Sequence, residues 1–168
     1  HLSRTLGKTK LDRSQVPRLS LWVLSAPLDS CAAISDALLE FGLSGQWLAQ
    51  PAAEYCYQLR IHSRLQSPEV PLLTSTLARF KAPFELETLE RMPERYLFHP
   101  GLGIHRQQLN QAGEVLIRED AIASAIAASQ GSSKEIERRL RQLSGTTWLD
   151  LLEPYRNHEG LRVLPKAV

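Results

Sequence analysis

The sequence predicts an α+β fold in which a ferredoxin-like split βαβ unit carries a C-terminal hairpin and short helices packed on it. Three features of the 168 residues lead there. An apolar run, Leu19-Ser-Leu-Trp-Val-Leu24, reads as a buried strand, two amphipathic stretches follow at helical spacing, and alternating segments lie between and after them. The order from Leu19 to Arg91, strand-helix-strand-strand-helix-strand, is that of the split βαβ motif, which sets both helices on one face of an antiparallel sheet.

The first strand ends at the Ser25-Ala-Pro27 turn. Asp29 is placed to cap a helix in which Cys31, Ile34, Leu38 and Phe41 recur three and four residues apart until Gly42 stops it. Gln46 to Gln50 makes a short strand closed by Pro51. Tyr55 to His62 then alternates Tyr55, Tyr57, Leu59 and Ile61 against Cys56, Gln58, Arg60 and His62, so the two strands pair as a hairpin. Ser67-Pro68-Glu69 supplies a cap, an N1 proline and an early acid for a second helix bearing Val70, Leu73, Leu77 and Phe80. Ala82-Pro83 ends it, Phe84 to Leu89 alternates as a strand, and Pro93 closes this half.

Beyond Pro93, Tyr96 to Leu109 is extended around the Pro100-Gly-Leu-Gly103 bend, and Asn110 to Gly113 turns the chain back into Glu114–Ile117. Three short helices follow. One runs from about Asp120 to Ser129, one is capped by Ser132-Ser-Lys-Glu135 and carries Ile136, Leu140 and Leu143, and one after Thr146-Thr147 holds Trp148, Leu151, Leu152 and Tyr155. Leu161 to Leu164 is a candidate last strand.

The first strand makes a further demand, because Leu19, Leu21 and Val23 fall on one face and Trp22 and Leu24 on the other, so both faces want burial. Leu116, Ile122, Ile126, Leu140, Trp148 and Leu152 in the second half need a floor and are expected to supply the cover. Residues 19–168 are then one integrated domain, with 19–93 the ferredoxin-like half and 94–168 the hairpin and helices, behind a flexible basic arm of residues 1–18. A second copy of the chain is the competing cover, which keeps a homo-oligomer open.

Composition narrows the function classes. With 43% hydrophobic and 23% charged residues and a formal charge of +2, the chain is ordinary for a globular domain and lacks the wide positive field of a non-specific nucleic-acid binder. The third strand, Tyr55 to His62, has no Gly/aromatic RNA-binding motif, and Lys134, Glu135, Glu137, Arg138, Arg139 and Arg141 mix both signs as a solvated helix face does. Nucleic acid is the disfavoured partner. Cys31 and Cys56 form neither a disulfide framework nor a metal motif, and no apolar run nears the ~20 residues that span a bilayer. A cytoplasmic protein with reduced thiols and no membrane contact is the expectation.

No catalytic set assembles from the sequence. His99 and His105 flank the bend but lack further ligands in a metal pattern, and Gly101-Leu-Gly103 precedes an extended segment where a phosphate loop would precede a helix. Neither a metal nor a cofactor is implied. Neither cysteine has the basic surroundings of a nucleophile, and no Gly-x-Ser-x-Gly elbow appears.

Five blocks resemble a known family: Gln46-Trp-Leu-Ala-Gln-Pro-Ala52, Glu94-Arg-Tyr96 with Pro100-Gly-Leu-Gly103, Gly113-Glu-Val-Leu-Ile-Arg-Glu-Asp120, Ser144-Gly-Thr-Thr-Trp148 and Leu152-Glu-Pro-Tyr-Arg156. In this order they resemble the actinobacterial family called domain of unknown function 3145, over nearly everything from Leu19 onward. The chain departs from that pattern at Leu24 and at Val163-Leu-Pro165, where relatives carry histidines. The resemblance implies a place near type II fatty-acid synthesis, and with it acyl carrier protein, ketosynthase or an acyl-CoA carboxylase subunit as partner. The leading expectation is a non-enzymatic interaction or accessory protein. The alternative is a small enzyme or acyl-ligand binder with its pocket between the two halves. The partner-binding candidates are the outward bend and the Glu153-Pro-Tyr-Arg156 segment with their charged neighbours: Arg95, His99, Gly101, Gly103, His105, Arg106, Glu153, Tyr155 and Arg156.

Overall fold

The computed structural model of the protein describes residues 18–50, 53–64 and 69–156. Apart from Arg18 the expected basic arm lies outside these residues, as do the Ser67-Pro68 cap and the strand expected at Leu161–Leu164.

The described residues form a mixed α+β structure on one antiparallel sheet. Its strands are β1 (Leu19–Pro27), β2 (Trp47–Ala49), β3 (Cys56–Ser63), β4 (Phe84–Thr88), β5 (Glu94–His99), β6 (Gly103–Leu109) and β7 (Val115–Leu116), in spatial order β2-β3-β1-β4-β5-β6-β7. The helices are α1 (Leu28–Leu39), α2 (Val70–Ala78), α3 (Glu119–Ala128), α4 (Ser133–Leu143) and α5 (Thr146–Leu152), followed by a 3₁₀ helix at Glu153–Arg156.

Alternation along β1 decides the layering. Leu19, Leu21 and Val23 join Cys31, Ile34 and Leu38 of α1 and Val70, Leu73 and Leu77 of α2 in one buried cluster, so both helices cover the same sheet face. The Trp47 indole N–H donates to Ser35 Oγ at 2.8 Å and ties the edge strand β2 to α1. Helix α1 starts directly on Pro27 with no side-chain cap, and Asp29 sits in its first turn rather than at the cap position. Helix α4 does have the expected cap, with Ser132 Oγ accepting from the Glu135 amide at 3.3 Å.

The C-terminal hairpin does not lie over the sheet as expected; it extends it. Strand β5 pairs antiparallel with β4, and β6 with β5, because the short turn after Thr88 returns the chain beside the outer edge of β4, whose backbone groups need partners. Periodicity specifies which face a side chain takes but not which edge its strand joins.

Among the described residues, the second face of β1 is covered by the last elements. Leu24, Leu97 and Leu152 are each fully buried there, with Trp22, Trp148, Leu149 and Tyr155 packed around them. Each leucine contributes about 1.5–3 kcal/mol by leaving water. The expectation that Leu116, Ile122, Ile126 and Leu140 share this floor is corrected. Leu116 and Ile126 are exposed, α3 packs chiefly on α4, and α4 packs on α5, so among the described residues α5 and the 3₁₀ helix are the elements that cover this face. Small residues explain this arrangement, since the alanine-rich face of α3 buries Ala125 and Ser129 and lets α4 approach closely.

Candidate functional site

On the face of the sheet away from α1 and α2, strand register lines up two cross-strand ladders. One reads Arg60, Trp22, Glu85, Leu97, His105, and the other His62, Ser20, Glu87, Arg95, Gln107. Helix α5 and the 3₁₀ helix cover part of this face and stop short of the rest. What they leave is a cleft of 380 Å³ lined by Ser20, Trp22, Glu85, Leu86, Glu87, Arg95, Leu149 and Arg156. It lies between the first-half strands β1 and β4 and the C-terminal helices.

Two acids and two guanidinium groups set the electrostatics of this cleft. Arg156 donates to Glu85 Oε1 across it, while its Nε, buried, has no hydrogen-bond acceptor and lies 4.0 Å from the nearest Glu153 oxygen. Arg95 and Glu87 face each other at 3.6 Å, an ion pair too long for a hydrogen bond. Burial pushes the Glu85 carboxyl above its ordinary value, against the opposing pull of Arg156 and Arg95. Beside them the Arg60 guanidinium stands 3.9 Å from the centroid of the Trp22 ring.

The 3₁₀ helix is held at one end of the cleft by backbone capture. The side-chain amides of Gln50 and Gln58 both donate to the Tyr155 carbonyl, at 3.1 Å and 2.5 Å. Both glutamines are buried, so a polar strand position and a polar loop position find their partner in one carbonyl of the final turn.

At the hairpin tip the remaining candidates are organised by α5. The Trp148 indole N–H donates to the Gly103 carbonyl at 3.0 Å, and its ring stacks on His105 with centroids 4.5 Å apart. His105 also meets Gln107 Oε1 at 3.2 Å, and burial lowers its pKa against that hydrogen bond. Gly145, with φ +77, closes the approach: a Cβ there would meet Gln107 Oε1 at 2.6 Å and His105 at 3.0 Å. His99 Nδ1 accepts from the Gly101 amide at 3.0 Å and rigidifies the bend.

The expected candidates therefore divide into separate places. Arg95 and Arg156 line the cleft, Tyr155 is held by its carbonyl, and Glu153, 75% exposed, faces water. His99, Gly101, Gly103 and His105 gather at the tip. Arg106 lies on the opposite face, where it donates from Nε to Glu94 Oε2 at 3.2 Å beside the Tyr96 hydroxyl, which donates to the same oxygen at 2.9 Å. Burial raises the Tyr96 hydroxyl to about 12, with the Glu94 carboxylate acting in the same sense. Burial would raise Glu94 itself, but the hydrogen bonds from Arg106 and Tyr96 outweigh it and hold the carboxyl low.

Sequence reasoning did not single out Gln50, Gln58, Glu85 or Glu87. The signal for the acids was available in β4, where Phe84, Leu86 and Thr88 alternate with them, but alternation alone makes such acids water-facing. Cys31 and Cys56 are free thiols, and burial followed by the proximity of Cys56 pushes Cys31 up to about 11. Among the described residues no group of three or more His, Cys, Asp or Glu side chains could hold a metal ion, and no helix is long and apolar enough to cross a membrane.

No curated protein and no solved structure matches the chain. The sequence model of one family, described as "Protein of unknown function (DUF3145)", matches residues 20–163, and the chain belongs to that family.

Proposed function

We propose that the protein is a non-enzymatic interaction protein that docks a partner through the helix-side face of its β5–β6–β7 extension. One ladder carries this reading: Phe84, Phe98 and Ile104 are cross-strand neighbours on that face, and exposure rises from 1% and 5% at the phenylalanines to 40% at Ile104. Helix α2 reaches out as far as β6, and the sheet continues past it to β7. Leu102 at the bend, Ile104, and Leu116 beside Gln108 stay exposed, with Arg106 and Gln108 between them as polar rim. The partner class comes from the family resemblance: acyl carrier protein, ketosynthase or an acyl-CoA carboxylase subunit in the cytoplasm. The scaffold for this surface is read as a ferredoxin-like split βαβ unit, supported by the β2-β3-β1-β4 order and by α1 and α2 sharing one core.

The test mixes the purified chain with each of those three partners from the same cell and follows co-elution and binding by calorimetry. A complex with one of them, weakened at least tenfold by the double substitution Ile104→Glu and Leu116→Glu, is the expected result. Failure of all three to bind, or equal binding by the double variant, overturns the reading.

A further inference from the structure

We propose that the cleft on the opposite face of the sheet is a binding site for a free α-amino acid with a large apolar side chain. It rests on different residues from the docking face, so either can fail alone. The cleft's 380 Å³ falls at the small end of metabolite-sized pockets. Its lining has two halves. Trp22 and Leu149 offer apolar surface, while Glu85, Glu87, Arg95 and Arg156 offer equal numbers of both charges.

That balance selects the ligand class. In a partly desolvated cleft lined by two charges of each sign, an anion gains from the arginines and loses to the glutamates, and a cation does the reverse. A zwitterion places each end on its complement. The groups that would receive it have unspent capacity: Arg95 and Glu87 oppose each other at 3.6 Å without hydrogen bonding. An amino acid entering between Arg95 and Glu87 gives its carboxylate to Arg95 and its ammonium to Glu87. Both are charge-assisted hydrogen bonds, and the side chain is left to lie on Trp22 and Leu149. Glu85 stays engaged with Arg156 and orients it.

The experiment titrates the isotopically labelled 168-residue chain with L-phenylalanine and L-leucine, following the Trp22 indole resonance. N-acetyl-L-phenylalanine, L-phenylalanine amide and the dipeptide Phe-Phe serve as comparison probes. Saturable binding of a free amino acid is expected, with each blocked probe and the dipeptide weaker by at least about tenfold. Glu87→Gln, close in shape, and Arg95→Met should each weaken the free amino acid by a similar factor while the spectra away from the cleft stay unchanged. No saturable binding up to about 10 mM, equal binding of a blocked probe or the dipeptide, or unchanged affinity in the Glu87→Gln variant overturns the proposal.

Discussion

Gln58, 1% exposed in the middle of a strand, donates its side-chain amide to the backbone carbonyl of Tyr155. The bond fastens the chain's last described turn to the far side of the sheet, and Gln50 reinforces it from the end of β2. Replacing Gln58 with alanine removes the shorter of the two bonds and opens space under the 3₁₀ helix. Loss of about 2–3 kcal/mol in urea denaturation is expected, against about 1 kcal/mol for Gln50→Ala. The Gln58→Ala protein should also be cut faster by protease near residues 153–156. Equal stability of the Gln58→Ala variant and wild type would show that the carbonyl finds another donor at no cost.

Gly145 precedes α5 in the left-handed region, at φ +77, where a side chain is strained whatever the space. Here there is also no space, since a Cβ on this residue would stand 2.6 Å from Gln107 Oε1 and 3.0 Å from His105. Gly145→Ala therefore pushes α5 away from β6 or displaces both side chains. A cost of about 2–4 kcal/mol is expected, with loss of the ring-current shift between His105 and Trp148. A variant as stable as wild type with that shift intact would contradict it.

The two-faced apolar pattern of β1 made the need for a second cover legible, and Trp148 and Leu152 were among the residues expected to meet it. The helical spacing of Ile34, Leu38, Leu73 and Leu77 likewise carried through to one shared core. Partners across long separations were not legible. Glu85 and Arg156 lie 71 residues apart, and neither position departs from an ordinary surface residue until the last turn is laid on the sheet. Gln58 sits on the polar side of an alternating strand, so only the arrival of the Tyr155 carbonyl makes its burial cheap. The hairpin was found but misplaced, because extending an edge and covering a face satisfy the same alternation.

Arg156→Met tests the charge pair in the cleft. Burial already raises the Glu85 pKa, and deleting the guanidinium removes the first of the effects that oppose it, so the carboxyl should rise further. A raised native pKa means that the folded state holds the proton more tightly than the unfolded state. Its contribution is complete below the ordinary value of 4.5 and is lost as pH climbs through the native value. The variant should accordingly be destabilised by about 2–3 kcal/mol at pH 7. The deficit should shrink toward pH 4, as read from paired urea titrations. A deficit that grows on acidification would mean that Glu85 is better stabilised as a carboxylate than its burial implies.

The His105–Trp148 stack predicts a pH dependence of the other kind. Burial disfavours the imidazolium, and the hydrogen bond to Gln107 offsets this only in part, so the native pKa falls below the ordinary 6.5. As pH drops below that value the unfolded chain takes up the proton first, and stability declines until the native ring is protonated as well. Above it the imidazole is neutral in both states and contributes no slope. His105→Phe keeps an aromatic ring against Trp148 and removes the titration. The stability difference between this variant and wild type should therefore be flat from pH 8 to about pH 7 and move in the variant's favour from there toward pH 5. The other groups on this face near the ring, Gln107 and Leu97, do not titrate, which leaves His105 as the source of any difference. Urea midpoints measured for both proteins across that range decide it, and a difference that shifts toward wild type on acidification would place a favourable imidazolium against Trp148.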